Sequence, residues 1–229
     1  MKKILLIALT VILSASLVFA QTTMNNYLRT TTQPGYQEGF GVLPAIDPYL
    51  GTITVKDGLP ADMVDWVLVE LRETTSGATV GQAVGCLLTD GSVTDTTGTN
   101  GLEFAGLESS TSYYIVVRHR NHLDVMSNSA VTINEDNSGT EFDFTVSGAN
   151  YGGDGLGAKL IGSDYAMFAG DGDGNNQVQT TDKSSTWISE TGQSGYKAAD
   201  FDMNGFVQTT DKSAFYQSNV GKASQVPAQ

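Results

Sequence analysis

The sequence predicts a mainly β protein with a small α-containing module at its C-terminal end: an antiparallel β-sandwich followed by a pair of loop-helix units. Three observations carry this. Between Asp62 and Val146, apolar and polar residues alternate at the period of strands, in runs bounded by turn signals. Between Asp171 and Asp211, one acidic twelve-residue loop is written twice. The 229 residues begin with a short basic and apolar segment that belongs to neither part.

That segment, residues 1–20, places Lys2 and Lys3 before an apolar run from Ile4 to Val18 and ends in Val18-Phe19-Ala20. It reads as a secretory signal peptide cut before Gln21, which implies a secreted, extracellular protein. No cysteine follows the cut to carry a lipid, and no second apolar run is long enough to span a bilayer. Twelve Lys and Arg, two of them in the leader, face 25 Asp and Glu, for a formal net charge of −13. A chain so acidic does not bind nucleic acid or an anionic membrane by electrostatics. Cys86 is the only cysteine, so no internal disulfide forms; its phase with Val84 and Leu88 marks it as a small core residue.

Residues 21–61, with Pro34, Pro44, Pro48 and Pro60, read as a loop-rich lead-in with room for one or two edge strands. Residues 62–147 form the sandwich. Val67, Val69 and Leu71 alternate with Leu68 and Glu70; Val80, Val84, Cys86 and Leu88 share a phase; Phe142, Phe144 and Val146 alternate with polar residues. Asp90-Gly91 is a hairpin turn between Leu88 and Val93. Trp66 and Leu68 point away from Val67 and Val69, so either a second layer covers them, for which the lead-in is the segment available, or they form an apolar patch for a partner. Arg118-His119-Arg120-Asn121-His122 is the densest polar cluster of this part. It reads as a strand end whose side chains bond to neighbouring loops. On one regular strand, His119 and His122 face apart, which argues against a shared metal. Residues 148–164, rich in glycine, read as a linker, residues 165–223 as the C-terminal module and residues 224–229 as a tail.

The doubled loop runs from Asp171 to Asp182 and again from Asp200 to Asp211, with Val-Gln-Thr-Thr-Asp-Lys-Ser identical in both copies. A loop of this kind wraps a hard cation in oxygens from side chains at positions 1, 3, 5 and 12 and from the carbonyl at 7. The ligands are then Asp171, Asp173, Asn175, Gln177 and Asp182 in the first copy, and Asp200, Asp202, Asn204, Phe206 and Asp211 in the second, holding two Ca²⁺. Position 6 must turn with positive φ, which Gly205 accepts freely and Asn176 tolerates. Val178 and Val207 at position 8 are apolar anchors. Helix-like runs, Thr180–Glu190 and Thr209–Asn219, follow the loops and are closed by Gly192 and Gly221.

Two such loops, each with an exiting helix and none entering, resemble the type I dockerin domain over roughly 168–222. Position 12 is Asp in place of the usual Glu, a change dockerins share, and position 9 is Gln. The resemblance implies that the module docks the chain to a cohesin-like or other β-sandwich domain of an extracellular assembly through the exposed helix faces. The matching residues are Thr180, Thr181, Trp187 and Ile188 in the first copy and Thr209, Thr210, Tyr216 and Gln217 in the second, with the aromatic Trp187 and Tyr216 serving either as anchors for the partner or as the module's own core. The run Val67–Arg72, Thr89-Asp90-Gly91, Leu102–Phe104, Gly106-Leu107 and Tyr113–Val117 resembles prealbumin-like or Cna-B-like sandwiches. With Arg118–Leu123 it is also similar to secreted bacterial modules of the type labelled haemagglutinin-like. A dockerin-like tail beside a β-sandwich leaves two alternatives to docking on a different protein: a second copy of the chain as partner, giving a filament or tube, and an adhesin that binds polysaccharide.

Enzymatic activity is not expected. The sequence has no Gly-x-Ser-x-Gly and no His-Glu-x-x-His, and both histidines sit on one short stretch. The clustered carboxylates are already assigned to the loops.

Overall fold

The computed structural model describes residues 5–7, 9–10, 27–30, 41–55, 58–107, 111–133 and 141–229. In chain order the elements are β1 (Leu5–Ile7), β2 (Leu9–Thr10), a short helix α1 (Tyr27–Thr30), β3 (Met63–Arg72), β4 (Thr79–Leu88), β5 (Ser92–Thr94), β6 (Leu102–Phe104), β7 (Thr111–His119), β8 (His122–Met126), β9 (Val131–Ile133), β10 (Phe142–Asp143), β11 (Lys159–Ile161) and β12 (Asp164–Ala166). Two helical runs follow: Asp182–Trp187 continued by Ile188–Glu190, and Asp211–Tyr216 continued by Gln217–Asn219. None of these is long and apolar enough to cross a membrane.

The protein is mainly β. An eight-stranded sheet runs β10-β2-β5-β4-β3-β7-β8, with β9 added on β7, and every pairing is antiparallel except that of β10 with β2. β3 lies at its centre and is buried along its whole length. Its residues therefore read as near-continuous apolar sequence, because both faces are covered. The β4–β5 turn at Asp90-Gly91 forms as expected: Gly91 has φ +88°, its N–H reaches the Leu88 carbonyl at 2.9 Å, and Ser92 N–H caps on Asp90 Oδ1 at 2.9 Å. Gly85 in β4 is a close approach, since a Cβ there would lie 2.6 Å from Val93 and 2.9 Å from Leu102. The shared phase assigned to β4 holds only in part. Val80 is exposed, because the first half of the strand extends beyond the covering layer. Of the predicted alternation from Phe142 to Val146, Phe144 is buried and Val146 exposed.

Trp66 is fully buried, and the lead-in covers it. Leu28, Val42, Leu43 and Leu59 join its core, Trp66 Nε1 donates to the Pro44 carbonyl at 3.0 Å, and Tyr49 Oη donates to the Trp66 carbonyl at 3.3 Å. Asp47 fixes this lead-in by accepting five backbone N–H groups, from Tyr49 to Ile53. Cys86 has no exposed surface, and burial pushes its thiol up to about 12, the state of an inert core residue.

Two expectations change, for residues 148–164 and 224–229, and the start of the chain takes part in the fold. The predicted leader lies largely outside the described residues, but Leu5–Ile7 pairs with Leu102–Phe104, and Leu9–Thr10 pairs with Ser92–Val93 and Phe142–Asp143. The chain thus uses its apolar start to satisfy open strand edges. The stretch 148–164 is a packed connection: Tyr151 N–H bonds the Met126 carbonyl at 2.8 Å, buried Asn150 bonds the Phe144 carbonyl at 2.7 Å, and β11 pairs with β12. Its glycines serve turns with positive φ at Gly152, Gly153 and Gly155, which composition alone reads as looseness. Residues 224–229 are tied down as well. Ser224 Oγ donates to the Asp124 carbonyl at 2.8 Å and Arg72 Nη1 to the Pro227 carbonyl at 2.8 Å.

Candidate metal centre

The two loops share one diagram of backbone N–H bonds to side-chain oxygens, repeated 29 residues on. In the first, the Asp171 carboxylate accepts from Asn175 N–H at 3.0 Å and Asn176 N–H at 2.9 Å, and Asp182 accepts from Asp173 N–H at 3.2 Å and Gln179 N–H at 2.7 Å. In the second, Asp200 accepts from Asn204 N–H at 3.0 Å and Gly205 N–H at 2.9 Å, and Asp211 accepts from Asp202 N–H at 3.1 Å and Gln208 N–H at 2.8 Å. Asn175 and Asn204 each take the N–H two residues on, from Gln177 at 3.0 Å and from Phe206 at 2.8 Å. Position 6 has positive φ in both, +66° at Asn176 and +85° at Gly205.

These bonds draw the carboxylates together. Asp171, Asp173 and Asp182 bring oxygens within 4.8 Å of one another, as do Asp200, Asp202 and Asp211. Oxygens on opposite sides of a cation at 2.3–2.6 Å stand roughly 5 Å apart, so this spacing suits one hard cation per triad. Asp171, Asp182, Asp200 and Asp211 are buried. Burial pushes Asp171 up to about 7, aided by the charges of Asp182 and Asp173 and opposed by the Asn176 and Asn175 N–H groups. Burial likewise pushes Asp200 up to about 8, although Arg120 opposes it, and Asp202 up to about 6. Asp182 and Asp211 shift upward too, for the same first cause. Such carboxylates oppose ionisation until positive charge is supplied between them, which is what a metal ion does.

Gln177 and Phe206 lie opposite Ala223 and Ser194 in two-residue bridges. The bridge beside Gln177 is bonded through Val178 N–H and the Asn176 carbonyl, and that beside Phe206 through Val207 N–H and the Gly205 carbonyl. The N–H groups of Gln177 and Phe206 are turned the other way, to Asn175 Oδ1 and Asn204 Oδ1. These bridges cross over: loop 1 pairs with the segment after the second helix, and loop 2 with the segment after the first. Val178 and Val207 are buried as anchors in one small core with Phe201, Phe215 and Tyr216.

The helices leave the loops where the sequence places them and stop at Gly192 and Gly221, at φ +81° and +89°. Their first turns are wound wide, with the Ile188 and Gln217 N–H groups reaching back five residues to the Lys183 and Lys212 carbonyls. Of the predicted partner-binding residues, Thr180, Thr181, Ile188, Thr209, Thr210 and Gln217 are exposed. Tyr216 is not: it is buried in the module's core with Phe215 and Val207. Trp187 is half-buried, with Nε1 donating to the Gln208 carbonyl at 3.0 Å and Lys212 over its ring at 4.6 Å.

The Arg118–His122 cluster lies between the eight-stranded sheet and this module. Asp65, fully buried, accepts from Arg120 Nε at 2.9 Å, Tyr196 Oη at 2.7 Å and Trp66 N–H at 2.7 Å, and pairs with His119 Nε2 at 3.0 Å. Burial opposes its ionisation, but Arg120 and His119 hold it well below the usual carboxylate range. The two histidines do not face apart. They meet across the tight β7–β8 turn, with ring centroids 4.7 Å apart and Nδ1 atoms at 2.9 Å. Burial lowers both, His122 far below its ordinary value, so both are neutral. One tautomer set fits: His119 Nε2–H on Asp65, and His122 Nδ1–H shared by His119 Nδ1 and Asn121 Oδ1. His122 Nε2 is then a buried acceptor with no partner. Sequence alternation misses this arrangement because a hairpin turn interrupts the period between the two residues.

In comparisons with known proteins, no family model, no curated sequence and no solved structure matches the chain. Fold and site alone define its class: a mainly β protein with two acidic triads that could bind metal ions.

Proposed function

We propose that this is a secreted, non-catalytic calcium-binding protein whose dockerin-like C-terminal module docks the chain to an extracellular protein assembly. The observation that carries the reading is the pair of congruent loops, each of which brings three carboxylates within 4.8 Å of one another. An all-oxygen set with carboxylates and carbonyls favours calcium over the softer transition metals. The docking surface of this reading is the exposed part of the two helices, Thr180, Thr181, Ile188, Thr209, Thr210 and Gln217, toward a cohesin-like or other β-sandwich domain.

Calorimetric titration of chelator-treated chain from Gln21 with Ca²⁺ tests the metal. Two ions per chain are expected, and Asp171→Ala and Asp200→Ala should each lose one. Stoichiometry near zero would sink the reading. Assembly with a second copy would require the module to leave the sandwich it already contacts in its own chain, or to use a different face. Light scattering in millimolar calcium decides between the two: particles that grow with calcium and dissolve in chelator favour self-assembly, and a monomer at high concentration favours a different partner.

A further inference from the structure

The turn joining β7 to β8 touches both loops at once, through one residue. Asn121 is fully buried. Its backbone carbonyl accepts from Gly170 N–H at 3.0 Å and Asp171 N–H at 3.2 Å, at the start of loop 1. Its side-chain amide donates to the Ala198 carbonyl at 3.1 Å and the Asp200 carbonyl at 2.8 Å, at the start of loop 2. The first ligand of each loop is therefore hung on the same residue of the sandwich. Arg120 beside it donates to the Lys197 carbonyl and lies over the Tyr196 ring at 4.3 Å. Its Nη2, without a hydrogen-bond partner, stands 3.9 Å from Asp200 Oδ2. The contact is returned from the other side: Met203 of loop 2 is buried in the sandwich core, and Leu123 of β8 is buried in the module core.

We propose that the Arg120–Asn121 turn is a positioning element for both cation loops, which makes filling of the loops and stability of the sandwich one linked equilibrium. This rests on the calcium reading above. An ion that binds only the folded protein stabilises whatever unfolds together with its site. Because Asn121 spans both loops, an ion in either one fixes the residue that holds the other, and the second ion meets a loop already ordered.

The test uses the chain from Gln21 with Trp187→Phe, so that buried Trp66 is the sole tryptophan and reports on the sandwich. In this protein calcium should raise the temperature at which Trp66 fluorescence changes. Asn121→Ala removes the amide donors but keeps the carbonyl. It should weaken one of the two sites by about tenfold or more, as loss of two buried hydrogen bonds implies, and shrink the calcium-induced shift at Trp66 with both ions still bound at saturation. A merely structural role would lower stability in chelator and leave that shift intact. Should Asn121→Ala fail to fold, amide exchange on the parent protein serves: calcium should slow exchange in β7 and β8 as well as in the loops. A Trp66 transition and β7 and β8 exchange that ignore calcium while two ions bind would overturn the proposal. If no ion binds, the calcium reading falls with it, and the stoichiometry tells the two failures apart.

Discussion

Met203 holds φ +56°, a conformation that costs a non-glycine residue about 1–2 kcal/mol, and its counterpart in loop 1 is Gly174 at φ +68°. The two acidic triads were legible in the sequence because a twelve-residue loop makes its hydrogen bonds within itself. Met203 was not, because what holds it is a contact with the sandwich core, distant in sequence. Losing that buried side chain should cost about 2–5 kcal/mol. Met203→Ala loses the contact and keeps the strain, whereas Met203→Gly loses the contact and sheds the strain. Both should destabilise, and Ala should do so more than Gly by about 1 kcal/mol, against the usual order in which Gly is the poorer residue. Urea unfolding of the two variants in saturating calcium checks this. Equal stabilities would mean that the backbone there relaxes once the side chain is gone.

At the scale of elements, the strands and exit helices follow from periodicity and from the glycines that end them, while the β7–β8 hairpin does not. Nothing local in Arg118–His122 tells that two histidines fold back on each other, since the partner that keeps them there is Asp65, on β3. Their neutrality has a consequence for pH. A histidine whose folded value lies below its ordinary 6.5 binds fewer protons folded than unfolded. Its stabilising effect is complete above pH 6.5 and is lost as the pH falls below it. His122 matters most, because a proton on its Nε2 would find no acceptor. The charged groups acting on the pair are Arg120 and Asp65, which stay ionised through this range, and Lys159, whose charge also disfavours a proton on His122. Thermal unfolding in saturating calcium should therefore fall in temperature between pH 6.5 and about 5. His122→Gln, uncharged throughout, should show a shallower fall, and an identical slope in both proteins would place the acid sensitivity elsewhere.

For the whole molecule, the reading of separate parts joined by a linker gives way to one packed body. Glycine content and low hydrophobicity in 148–164 report backbone turns, and they carry no information on Asn150 or Tyr151 bonding to the sandwich. The same packing makes the first residues consequential. β6 has no strand partner but β1, and β10 none but β2, among the described residues, while β5 keeps β4 on its other side. If residues 1–20 are removed on secretion, as their composition predicts, β6 and β10 lose their only ladders and β5 becomes an edge. Val93, Leu102 and Phe104, buried in the full chain, border that opening. Backbone amides at 92–94 and 102–104 should then exchange with solvent faster in the chain from Gln21 than in the full-length chain, while those at the centre of β3 should not change. A peptide of residues 4–11, added to the shortened chain, should restore protection at those positions and leave β3 unaffected. Equal protection in the two chains without peptide would mean that another segment of the processed protein already fills the edge.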